Sequence, residues 1–166
     1  MGKLGVYIRF IGADVADEEE IENVAAPKLA MTSGVVEYAL NDAEALIRQR
    51  GPVSGLDRVH TVFHGYLRVI CEEAGLLPPG DPDITTRFKI IRTKHPALQP
   101  PPPGAREIDS ILGPMATIVN ALNPLRNRGS VAHPNDSLLE EPEAMLVINA
   151  VRTLLHYLNS RIKPAQ

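Results

Sequence analysis

From Ser33 onward, apolar residues return at three- and four-residue steps. Val36, Ala39, Leu40, Ala43 and Ile47 fall on one face of a helix that Gly51-Pro52 should end. Ser54 reads as the start of a second helix, with Asp57 in the capping-box position. Its stripe is Val59, Val62, Phe63, Tyr66, Leu67 and Ile70, and Gly75 with Pro78-Pro79-Gly80 stops it. A shorter third helix follows Asp83, with Ile84, Phe88 and Ile91 about a turn apart and His95-Pro96 closing it. Residues 96–104 hold five prolines and read as a stiff extended connector. A fourth helix runs from about Arg106 toward Arg126, with Ile108, Ile111, Leu112, Met115, Ile118, Val119 and Leu122 as its expected buried face. Pro114 and Pro124 lie inside that pattern, and each should kink or restart the helix. The last helix begins at Pro142, a favoured first position, and buries Met145, Ile148, Val151, Leu154, Leu155 and Leu158 before Lys163-Pro164.

Residues 6–11 are the one strand-like run, too short to stand without a partner. The pattern therefore predicts an all-α fold. It is a four-helix up-down bundle with one short extra helix and a short N-terminal extended segment. The bundle domain spans residues 34–162, after an acidic, partly extended extension over 1–33 and before a tail at 163–166.

With 166 residues, 44% hydrophobic and 22% charged, the chain has the length and composition of one globular domain with its own core. Its single cysteine, Cys71, excludes an intrachain disulfide and fits a reducing, cytoplasmic compartment. No apolar run approaches a membrane span, and the first residues lack the apolar core and cleavage site of an export leader. The net charge of −3 argues against a uniformly basic nucleic-acid coat, but the charge is unevenly placed. Asp14, Asp17, Glu18, Glu19, Glu20 and Glu22 form an acidic run without a base among them. Arg87, Lys89, Arg92, Lys94 and His95 form a basic run without an acid, a candidate contact for an anionic backbone. Helix-turn-helix spacing with a basic recognition helix is missing, so DNA binding is disfavoured.

The densest candidate chemistry is Leu125-Arg126-Asn127-Arg128-Gly129-Ser130-Val131-Ala132-His133-Pro134, between the last two long helices. Two guanidiniums, an amide, a hydroxyl and an imidazole within eight residues suit RNA cleavage without a metal. His133 would move a proton at the ribose 2′-hydroxyl or the leaving oxygen. Arg126 would hold the phosphate and stabilise the charge on its oxygens. Asn127 would orient either partner, while Arg128 and Ser130 would add phosphate affinity. Spacing alone is weak, because an arginine followed closely by a histidine recurs at Arg58 and His64. A structural role also stays open, with Arg126 paired to Glu140, Glu141 or Glu143 and His133 capping the turn.

This segment, together with the helix from Pro142 to Ile162 and its Ala144-Met145-Leu146-Val147-Ile148-Asn149-Ala150 run, resembles the abortive-infection C-terminal domain of the HEPN superfamily. Asp57-Arg58-Val59-His60 through His64-Gly65-Tyr66-Leu67 is similar to the family's first core helices, and the resemblance covers roughly residues 34–162. HEPN ribonucleases share an arginine, a polar residue next to it and a downstream histidine. Here these positions are Arg126, Asn127 and His133, at the long end of the spacing. The resemblance implies a helical bundle that dimerises with its two motifs facing each other. It also implies metal-independent endoribonuclease activity in phage defence or toxin–antitoxin systems, with an antitoxin or sensor protein as a further partner. The alternative is a non-catalytic interaction or RNA-binding module of such a system. No cofactor is expected.

His60 and His64 have a metal-ligand spacing on one helix face, but no third ligand is evident, and surface or interface positions are expected. Cys71 reads as a buried small hydrophobe, and His156 as a partly buried histidine beside Arg152.

Overall fold

A computed structural model of the chain describes residues 23–100, 103–120 and 140–162. Among these residues there are five α-helices, one 3-10 turn and no strand. The helices are α1 (Gly34–Arg50), α2 (Pro52–Glu73), α3 (Ile84–Lys94), α4 (Ala105–Asn120) and α5 (Glu141–Arg161), with the 3-10 turn at Pro96–Leu98. The strand-like run at 6–11 lies outside the described residues.

Local chemistry explains most of the boundaries. Ser33 caps α1 by accepting a hydrogen bond from the Val36 N–H, and Arg48 and Arg50 occupy the last turn, where cations complement the helix dipole. The side chain of Asp83 accepts from the Thr86 N–H at 2.7 Å and starts α3. These bonds to the ionised form hold the Asp83 carboxyl below its ordinary value.

The start of α2 differs from the sequence expectation. The helix begins at Pro52 rather than Ser54, because Gly51 takes a positive φ of 85° and Pro52 is already suited to the first helical turn. Ser54 Oγ instead donates to the Arg50 carbonyl, across the turn. A single glycine therefore reverses the chain, and α1 and α2 pack as an antiparallel hairpin. A Cβ at Gly55 would collide with Ile47, and one at Gly65 would come within 2.9 Å of Val36 Cγ2. The two glycines allow the helices to approach closely.

All five helices contribute to the core, and its largest side chains come from α2, α3 and α5. Phe63, Tyr66, Leu67 and Ile70 meet Phe88 and Ile91, and Ile148, Leu154, Leu155 and Leu158 close the other side. Burial pushes the Tyr66 hydroxyl up to about 12, so it stays neutral throughout the physiological range. Cys71 is buried as expected, and burial raises its thiol as well.

The connector is more structured than its prolines suggest. Pro96–Leu98 forms a 3-10 turn that drops Leu98 into the core. Helix α4 runs through Pro114 without restarting; Pro124 lies outside the described residues. Only part of its expected apolar face is buried. Leu112, Ala116 and Val119 are buried, whereas Ile108, Ile111 and Ile118 are 41%, 56% and 38% exposed. The α3–α5 side of α4 accommodates one stripe, and the helix carries two.

His95 links these elements. Its Nδ1 accepts from the Ala97 N–H at 3.1 Å, a bond that requires this nitrogen to be unprotonated. Burial lowers its pKa below the ordinary value of 6.5. The unfolded chain takes up the proton first, so the His95 contribution is present above pH 6.5 and is lost as pH falls below it. Thermal unfolding midpoints should drop between about pH 7.5 and about pH 5.5, and drop less in His95→Asn, whose Oδ1 still accepts. Parallel curves for the two proteins would show that His95 is not the source.

Candidate functional site

The segment carrying Arg126, Asn127, Arg128, Ser130 and His133 lies outside the described residues. Its two ends are well defined. The chain leaves α4 at Asn120 and enters α5 through Glu140 and Pro142, and α4 packs against α5. The first turn of α5 is acidic, with Glu141 and Glu143. A carboxylate oxygen of Glu141 sits over Gly51, which turns that side chain to the α1–α2 turn.

The basic run of α3 divides into two pairs. Arg87 is 5% exposed, and its Nη2 donates to Asp81 Oδ1 at 2.7 Å. Arg92 is held by Asp109 of α4 at 2.7 Å and lies over the Phe88 ring at 5.6 Å. Lys89 and Lys94 are exposed. Lys89 and Lys94 therefore face solvent, while the two arginines tie α3 to its neighbours. A periodic sequence does not reveal this split, because the acids that bind the arginines come from a loop and from another helix.

His60 is nearly buried rather than on the surface, and its ring lies 6.5 Å from that of His64. His64 turns toward Asp81 at 3.7 Å. Among the described residues no group of three metal-ligating side chains is found.

Sequence reasoning missed a second polar constellation. Residues 24–30 run along α5 as an extended strap, and side chains of α5 bind its backbone. Asn149 Oδ1 accepts from the Val24 N–H at 3.1 Å, and His156 Nε2–H donates to the Ala25 carbonyl at 2.7 Å. Asn159 uses both ends of its amide, donating to the Lys28 carbonyl at 2.9 Å and accepting from the Ala30 N–H at 2.6 Å. Pro27 of the strap is buried, and Leu29 and Met31 pack against the core. Contrary to expectation, His156 is exposed. The signal was present in the sequence: Asn149, Arg152, His156 and Asn159 recur at three, four and three residues on a helix otherwise read for its apolar face. Arg152 completes the stripe, with its buried Nη2 against both carboxylate oxygens of Glu44 at 2.7 Å.

Among the described residues these helices define an all-α domain. A family model described as HEPN-like domain, Abi_C, matches residues 35–161, and the chain belongs to that family. A comparison with curated proteins and one with solved structures each found no match. No described helix is long and apolar enough to cross a membrane.

The strap bonds are side chain to backbone, so removing one partner should loosen the segment locally. Asn159→Ala should raise amide hydrogen exchange at Lys28–Ala30 by about tenfold, the effect of losing roughly 1.4 kcal/mol of local protection, and leave α2 amides unchanged. Unchanged exchange at Ala30 would mean that Asn159 does not hold the strap.

Proposed function

We propose that this protein is a metal-independent endoribonuclease of phage-defence or toxin–antitoxin type, with Arg126, Asn127 and His133 as its catalytic groups at a homodimer interface. One observation carries the reading: a chain of the HEPN-like family holds Arg126-Asn127 and His133 in the segment that joins α4 to α5.

The chemistry is transesterification within the RNA strand. A neutral His133 takes the proton from a ribose 2′-hydroxyl, whose oxygen then attacks the adjacent phosphorus. Arg126 binds the non-bridging oxygens as negative charge builds on them. The bond to the 5′-oxygen breaks, and that oxygen needs a proton as it leaves. The products are a 2′,3′-cyclic phosphate and a 5′-hydroxyl. One imidazole cannot be base and acid in the same step, and the partner's His133 supplies the second. Asn127 orients a reacting oxygen or an imidazole by hydrogen bonding. Arg128, Ser130, Lys89 and Lys94 extend the contact to flanking phosphates.

The exposed face of α4 supports the dimer. The exposed Ile108, Ile111 and Ile118, with the half-buried Met115 among them, recur at three, four and three residues, the spacing of a two-helix seam. In the sequence Leu122 and Leu125 continue the same spacing up to Arg126. A second copy of α4 is the occupant that such a repeat fits, since each apolar row meets its own copy about a two-fold axis. Joining two copies of α4 in parallel along this stripe would place the two motif segments at the same end of the pair.

Purified protein should cut RNA in the presence of EDTA and leave cyclic-phosphate ends. His133→Ala and Arg126→Ala should each lower the rate at least about a hundredfold at unchanged melting temperature. RNA binding without turnover in the wild-type protein would instead identify a binding module.

Ile111→Asp should convert dimer to monomer in sedimentation at micromolar concentration and abolish cleavage together with it. A wild-type chain that is monomeric yet fully active would remove the shared-site mechanism.

A further inference from the structure

A cleft of about 460 Å³, within the range of small ligand sites, opens where α3, the 3-10 turn, α4 and α5 converge. Ala105, at the first position of α4, lines it, about 22 Å along that helix from Asn120. None of its lining residues takes part in the proposed cleavage.

The lining is divided by chemistry. Leu98, Ile108 and the Tyr157 ring give an apolar wall, and Arg92, Gln99, Asp109 and Arg161 give a polar one. Part of the polar wall is already committed. Arg92 donates through both Nε and Nη2 to Asp109 Oδ1, so these two charges cancel. Asp109 Oδ2 takes no hydrogen bond among the described residues. The Gln99 amide donates to the Arg92 carbonyl at 3.1 Å, which fixes the group and leaves its oxygen without a donor among the described residues. Arg161 is exposed on the last turn of α5 and has no carboxylate partner among the described residues. The cleft thus offers one unbalanced planar cation, two acceptors that lack donors, and an apolar wall.

We propose that this cleft captures the C-terminal residue of a partner polypeptide, with the carboxylate on Arg161 and an apolar last side chain against Leu98, Ile108 and Tyr157. A C-terminal residue carries a carboxylate, a side chain and an amide N–H on a single Cα, so one cleft can satisfy all three. The guanidinium fork matches a carboxylate in plane and in charge. The amide N–H finds an acceptor at Asp109 Oδ2 or at the Gln99 oxygen. Charge separates this ligand from two others. A phosphate monoester carries about two negative charges and would leave one of them uncompensated. A free amino acid brings its own ammonium, cancels its carboxylate and leaves the Arg161 charge unbalanced. The claim does not rest on the ribonuclease reading, and no step of that reaction uses it.

The test uses the full-length protein and short synthetic peptides. Calorimetric titration with acetyl-Gly-Ser-Gly-Leu and acetyl-Gly-Ser-Gly-Phe, each with a free C-terminal carboxylate, should show one site per chain. Amidating the C-terminus should weaken binding at least about tenfold, through loss of the charged hydrogen bonds. Replacing the last residue by serine should cost a similar factor, through loss of the buried apolar side chain. Arg161→Gln, at an exposed position, should weaken the carboxylate peptides at least about tenfold at unchanged melting temperature, and should leave the amidated ones unchanged. Free leucine separates the two sources of this chemistry. Weaker binding than the peptide assigns the cleft to a polypeptide terminus; equal or tighter binding makes it a site for a free amino acid and overturns the partner. Inorganic phosphate that displaces the peptides at equal concentration overturns the carboxylate assignment. No binding of either peptide at millimolar concentration, or binding indifferent to amidation and to Arg161→Gln, overturns the proposal outright.

Discussion

Helix α5 meets the rest of the molecule on several faces, and the structure is organised around that constraint. Its apolar stripe, from Met145 to Leu158, is buried against α2 and α4. Between the apolar residues Arg152 is carried inward and neutralised by Glu44 of α1. Asn149, His156 and Asn159 bind the backbone of residues 24–30. Any rotation of α5 about its axis would break all three relationships together.

The Arg152–Glu44 pair shows how polarity is handled in such a helix. A guanidinium that is only 6% exposed would be strongly unfavourable without a counter-charge. The pair adds little net stability over an apolar substitute, but it fixes which side of α5 faces α1. Arg87 and Asp81 play the same part for α3. Both arginines lie on helices whose other buried positions are apolar, so each is a register mark more than a source of stability.

Helix existence was legible in the sequence because burial imposes the 3.6-residue period directly on residue type. The stripes of α2 and α5 are all buried, and the caps at Ser33 and Asp83 stand where the sequence places them. The candidate site was legible only as a set of residues, since Arg126, Asn127 and His133 are named by their type and order. What the sequence left open was decided between elements. Ser54 was read as the start of α2, but the helix begins at Pro52, and the close antiparallel approach at Gly55 and Gly65 accompanies that earlier start. Ile108, Ile111 and Ile118 were counted as core because periodicity reports that a residue is apolar, not which neighbour covers it. Arg87 and Arg92 read as free cations until Asp81 and Asp109 approached from other parts of the chain. The polar stripe of α5 had no visible partner, because the groups it binds are backbone amides and carbonyls, which every residue carries and no sequence distinguishes.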